Sequence, residues 1–270
     1  MAVYFSPGIS NTFLKERRVP IFTAPHDLYA IGEPAHVICI GDSWFWHPLG
    51  NLTSQLRNTF MNQNILLIGE SGREAADLVD PRQRYFKMFK TALDDYRGTL
   101  SHVFISAGGN DFAGYDDFAA ILKADCSAAA TPAECYDTVK MRALFDQIFR
   151  DIETLIREVN ERAPRVKVRL HNYDYAIPDG RHVLGAGQWL KVPMDLCKVP
   201  QPGSLPRGGF RREVVATLID TFGVWQEHLA QRMSDTAFVR TAGTVADDGW
   251  LDELHPRNGG YNRIARKLAA

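Results

Sequence analysis

Residues 37–51 read VICIGDSWFWHPLGN. Four apolar residues, Val37, Ile38, Cys39 and Ile40, run into Gly41 and Asp42, and Ser43 follows with three aromatics behind it. A short apolar run that stops on glycine is the pattern of a strand covered on both faces. Two more runs share it, NILLIG at 64–69 and HVFISAG at 102–108. A fourth, VKVRL at 166–170, alternates Val166, Val168 and Leu170 with Lys167 and Arg169, which suits a less buried position. AFVRTAG at 237–243 is a weaker fifth.

Helical spacing fills the intervals. Tyr85, Phe86, Phe89, Leu93 and Tyr96 recur at three and four residues, as do Leu144, Ile148, Ile152, Leu155 and Val159. For the second helix, Thr131, Pro132 and Glu134 give a start signal (a cap, a proline in the first turn and a capping-box acid), and Pro164 gives a stop. A third helix is expected over 211–232. Strands alternating with helices predict a three-layer, flavodoxin-like α/β fold, with a parallel sheet of about five strands and helices on both faces. No internal repeat or linker divides the chain, so one domain over 1–270 is expected. Residues 1–35 read as an irregular lead-in. Residues 171–210, rich in glycine and proline, read as a long loop serving as lid or substrate wall.

Bulk composition narrows the function classes. The 270 residues are 45% hydrophobic and 23% charged, ordinary for a globular chain that can bury a core without staples. Net charge is −1, with no basic footprint for nucleic acid. No apolar run reaches the ~20 residues of a membrane span. The first twenty residues lack a signal-peptide pattern, which makes the cytoplasm the default compartment and a processed exported protein the alternative. Four cysteines are too few for a disulfide scaffold. Cys126 and Cys135 flank the loop SAAATPAE, which leaves their pairing open, and no C-x-x-C pair suggests structural zinc.

Polar residues gather where the strands end. Gly41, Asp42 and Ser43 follow the first, Ser71 and Gly72 the second, and Gly108, Gly109, Asn110 and Asp111 the third. Asp252 and His255, in DDGWLDELHP, follow the fifth. Open parallel sheets bind ligands at that edge, where strand order reverses. Acyl transfer needs a nucleophile, a base, an orienting acid and donors for an oxyanion. Ser43, His255 and Asp252 supply the first three. The N–H groups of Ser43 and Gly72, with the Asn110 amide, supply the last.

These blocks resemble those of the SGNH hydrolase superfamily, the GDSL-type esterases and lipases. Gly41-Asp42-Ser43 is similar to the nucleophile block, Gly72 in GESG to the glycine block, Gly108-Gly109-Asn110-Asp111 to the G-x-N-D block, and Asp252-Glu253-Leu254-His255-Pro256 to the D-x-x-H block. Four in order, each after an expected strand, cover residues 36–268. The resemblance implies a cofactor-free serine esterase or lipase with Ser43, Asp252 and His255 catalytic. Ser43, Gly72 and Asn110 would form the oxyanion hole. Two departures stand out. Trp44 replaces the usual leucine after the serine, and Gly69 rivals Gly72 for the glycine block. Asp247 and Asp248 are alternatives to Asp252 as the orienting acid.

Trp44, Trp46, Tyr173 and Tyr175 are candidate substrate contacts. Trp44 and Trp46 come from the aromatic cluster, and the tyrosines from HNYDYAIPDGR at 171–181. The expected partner is a small-molecule, lipid or carbohydrate ester. The aromatics lean toward an apolar acyl group, with a carbohydrate O-acetylesterase as the alternative. A non-enzymatic binding protein on the same scaffold is a third reading, but GDSWFWHPLG is not a phosphate-cradling glycine loop. Asp42 reads as structural, bonding to nearby backbone, and His47 as a satisfied structural histidine, with a substrate contact as the alternative. The sequence leaves oligomeric state open.

Overall fold

Chain direction between the strands decides where the site forms. The computed structural model describes residues 20–183, 185–201 and 209–270. Its main sheet is built from β1 (Ile21–Phe22), β2 (Val37–Gly41), β3 (Ile65–Gly69), β4 (His102–Ser106) and β5 (Lys167–His171). A small hairpin, β6 (His182–Val183) and β7 (Ala186–Gly187), precedes the last sheet strand, β8 (Thr236–Val239). The order is β1-β3-β2-β4-β5-β8, every neighbour parallel. From β2 the chain first steps to β3 on one side. It then returns past β2 to β4 on the other. The end of β2, where Ser43 sits, is therefore the point of reversal.

The sheet has six strands where about five are expected. The extra one, β1, pairs with Ile65 and Leu66 and lies in the stretch read as a lead-in. Two residues carry no alternation, so nothing in the sequence marks it. The call on residues 1–35 otherwise falls partly on 1–19, outside the described residues. Residues 184 and 202–208 of the expected long loop also lie outside them.

Helices in chain order are α1 (Pro25–Ile31), α2 (Ser43–Trp46), α3 (Leu52–Thr59), α4 (Ala75–Val79), α5 (Arg84–Tyr96) and α6 (Gly109–Phe112). They continue with α7 (Tyr115–Ile121), α8 (Thr138–Arg162), α9 (Lys191–Leu196), α10 (Phe210–Arg232) and α11 (Asn258–Ala269). Crossovers between parallel strands are right-handed. The β2-to-β3 step and the oppositely directed later steps therefore place their helices on opposite faces. Accordingly α3 packs with α2 and α11, while α5 and α10 both pack on α8. Val37 to Ile40 and Ile65 to Ile68 are buried between the two layers.

One helix start differs from expectation. Pro132–Cys135 forms an isolated 3₁₀ turn, and α8 begins only at Thr138. Asp137 is the working cap, accepting from the N–H groups of Val139 (3.2 Å) and Lys140 (3.1 Å). Tyr136 interrupts the run because it is fully buried, with its hydroxyl donating to the Val214 carbonyl at 2.6 Å. The four cysteines are buried free thiols, so Cys126 and Cys135 are unpaired.

Candidate active site

At the end of β2 the backbone has no room for a side chain. A Cβ on Gly41 would lie 2.1 Å from the Ser106 carbonyl oxygen, and one on Gly69 would lie 2.0 Å from that of Gly41. Gly69 thus serves close strand packing. Asp42 then caps α2, its Oδ1 accepting from the Trp44 N–H at 3.0 Å. The same carboxylate accepts from the Ser106 hydroxyl at 2.8 Å and the Tyr173 hydroxyl at 2.6 Å. Burial pushes its pKa up to about 6, against those three bonds. Asp42 is therefore the brace beneath the serine. Ser43 is the first residue of α2, so its N–H is one of the donors a helix leaves unsatisfied.

The D-x-x-H segment arrives from the far end of the chain as a tight turn. Leu251 N–H donates to the His255 carbonyl at 2.8 Å. Asp252 Oδ1 accepts from the N–H groups of Leu254 and His255, both at 2.8 Å. His255 Nδ1 lies 3.0 Å from each Asp252 oxygen, and its Nε2 lies 2.8 Å from Ser43 Oγ. Burial opposes charge on Asp252. The His255 ring and the two N–H groups outweigh it, and the pKa is held below the usual carboxylate range. Asp247 and Asp248 are exposed on a neighbouring 3₁₀ turn, and Asp247 pairs with Arg212 at 3.0 Å.

Gly108 and Gly109 make the third approach. Gly108 has φ +103°, and a Cβ there would lie 2.8 Å from Phe222. Gly109 N–H donates to the Tyr173 hydroxyl at 2.8 Å, and its Cα faces that ring so closely that a Cβ would fall 2.8 Å from it. Asn110 follows on α6 and lines the cavity beside Ser43. One amide N–H of Asn110 donates to the Arg73 carbonyl at 2.9 Å, leaving the other as a second donor. Gly72 sits next to Arg73 in an exposed turn with φ +80° and is not among the cavity's lining residues. Its tie to the site runs through the Arg73 carbonyl. Asp111 turns away and accepts from the Ala75 N–H at 3.0 Å, with its pKa raised to about 7 by burial.

No protein-family profile and no curated protein sequence matches this chain. Solved structures do. Phospholipase A1 from Streptomyces albidoflavus NA297 matches at a TM-score of 0.53 and 14% identity, over 87% of this chain and 99% of that one. An extracellular lipase from Streptomyces rimosus matches at 0.53 and 15% over the same shares. The lipase Lip_vut3 from a goat rumen metagenome matches at 0.53 and 14%, over 87% and 95%. The chain shares the fold of these lipases.

Within this fold, two of the four aromatic candidates reach the cavity. Trp44 and Tyr173 line it, with Phe112, Ala113, Ala176, Ile219 and Leu254. Trp46 instead faces a separate cleft beside Gly69, Tyr85 and Met88, because successive residues of a one-turn helix point different ways. Tyr175 is held outside by Asp220, its hydroxyl donating at 2.7 Å.

Two neighbours of Ser43, Asp252 and His255 escape sequence reasoning in their roles. His47 stacks on His255 with ring centroids 4.3 Å apart and lies 4.0 Å from Asp252. Burial and then the His255 charge lower its pKa. His47, Asp252 and His255 also have metal-ligand spacing, but Asp252 and His255 are engaged with each other and with Ser43. Glu253 is fully buried and accepts from the N–H groups of Gly180 (2.8 Å), Leu190 (3.0 Å) and Lys191 (3.1 Å). It straps the backbone at Gly180 and at Leu190–Lys191 to the turn that carries His255. Glu253 stands in the DELH block, but a strap needs knowledge of what lies across from it.

Proposed function

We propose that this chain is a serine hydrolase of the SGNH type that cleaves carboxylic esters. The observation that carries the reading is the line from Ser43 Oγ through His255 to Asp252, at 2.8 Å and 3.0 Å. Hydrogen-bond reach from nucleophile to base, and from base to an orienting carboxylate, is what nucleophilic acyl transfer needs. His255 Nε2 accepts the Ser43 proton as Oγ attacks the ester carbonyl. Asp252 fixes the tautomer through Nδ1–H and stabilises the imidazolium. The oxyanion is received by Ser43 N–H and the spare Asn110 N–H. His255 then protonates the leaving alcohol, and a water activated by the same ring releases the acid.

Ordinary assays test this. Purified protein is given p-nitrophenyl esters of increasing acyl length, with Ser43→Ala alongside. Hydrolysis that disappears in the variant is the expected result. Hydrolysis that survives in Ser43→Ala would remove the serine from the mechanism.

A further inference from the structure

Resting on the ester-hydrolase reading, we infer that the acyl pocket is a small, partly open apolar cavity limited to short chains of about two to four carbons. Its limit is set by Ile219 and Ala113. The cavity beside Ser43 and Asn110 has about 40 Å³ open to the centre of a water molecule. One water needs roughly 10–15 Å³ by that measure, so the space takes about three or four small groups.

Its walls are held from behind. Phe112 packs on Phe222 at 5.3 Å and on Phe145 and Tyr173 at 6.3 Å each. Tyr173 is pinned through its hydroxyl to Asp42 and Gly109. Trp44 donates from its indole N–H to the Leu254 carbonyl at 3.1 Å. Ile219 is buried within the long helix α10, and its carbonyl accepts from the Asn172 amide at 3.3 Å. Close-packed walls of this kind do not move aside for a longer chain.

Chemistry narrows the acyl group further. The two charged residues lining the cavity are Asp42 and Asp174. Both are acids, and both are already bonded. Asp174 accepts from the N–H groups of Gly243 (2.7 Å), Thr244 (2.8 Å) and Val245 (2.8 Å). Among the described residues, no basic side chain lines the cavity to receive a carboxylate. The pocket therefore favours a short neutral aliphatic acyl group over a long chain or an anionic one such as succinyl. The leaving alcohol lies on the other side of Ser43, toward His255, and these walls do not constrain it.

The test compares kcat/KM on p-nitrophenyl acetate, butyrate, hexanoate and octanoate for wild type, Ile219→Ala, Ile219→Val and Ala113→Val. A fluorophosphonate with a small alkyl group reports Ser43 reactivity separately. Wild type is expected to peak at acetate or butyrate and to fall about tenfold or more by octanoate. Ile219→Ala removes three carbons and is expected to move the optimum to longer chains, with Ile219→Val moving it less. Ala113→Val should confine turnover to acetate. Should Ile219→Ala not fold, the two milder variants carry the comparison. Phosphonate labelling of Ser43 together with an optimum at octanoate, or with an unchanged profile in all variants, overturns the pocket and leaves the hydrolase reading standing. Neither labelling nor hydrolysis overturns both.

Discussion

His255 is held on three sides, and each contact has its own consequence. Asp252 fixes one nitrogen, Ser43 meets the other, and His47 covers a ring face. An aromatic stack contributes about 0.5–1.5 kcal/mol, so His47→Ala is expected to lower kcat about two- to tenfold. His47→Phe keeps the ring and should restore most of that. Steady-state kinetics across a pH series check it, since loose positioning lowers kcat while a purely structural loss lowers only the amount of folded enzyme. The proposed role of Asn110 lies in the transition state. Asn110→Ala should lower turnover about a hundredfold or more with the fold intact by circular dichroism, and near-normal turnover would remove the amide from the oxyanion site.

Elements of the fold differ in how openly the sequence states them. Val37 to Gly41, Ile65 to Gly69 and His102 to Ser106 were legible because strands buried on both faces are continuous apolar runs. The start of α8 was misplaced because Thr131-Pro132-Glu134 is a sound local start signal, and only the burial of Tyr136 ends that turn early. Ser43 and Asn110 stand out in the sequence because each follows a strand end in a short polar block, and Asp252 and His255 because they share one D-x-x-H turn. Glu253 and His47 do not, because their partners lie far away in sequence or across a ring face that no spacing encodes. The Glu253 strap makes an element-scale prediction. Glu253→Ala leaves three backbone donors without their acceptor and is expected to cost at least about 2 kcal/mol, read from the denaturant midpoint. Activity should fall with it, since the strap joins Gly180, Leu190 and Lys191 to the His255 turn.

For the whole molecule, the same buried acids that shape the site set its response to pH. Asp42 is raised to about 6 and Asp111 to about 7, both by burial, with Glu74 and Asp42 adding to the effect on Asp111. A carboxyl whose folded pKa exceeds its unfolded value binds more protons when folded. These two groups therefore subtract stability as pH rises from about 4 to about 7. Asp111→Asn keeps an oxygen for the Ala75 N–H and removes the titration. Its melting temperature is expected to fall less than that of wild type across this window, and parallel curves would contradict the assignment.

The central claim is that Ser43 is a nucleophile activated by His255. Intact mass spectrometry after stoichiometric fluorophosphonate treatment, followed by peptide mapping, tests it most directly. The expected result is a single adduct on Ser43, formed slowly in His255→Ala and absent in Ser43→Ala. A protein that stays unmodified, or one modified at another residue while Ser43 remains free, would contradict the account.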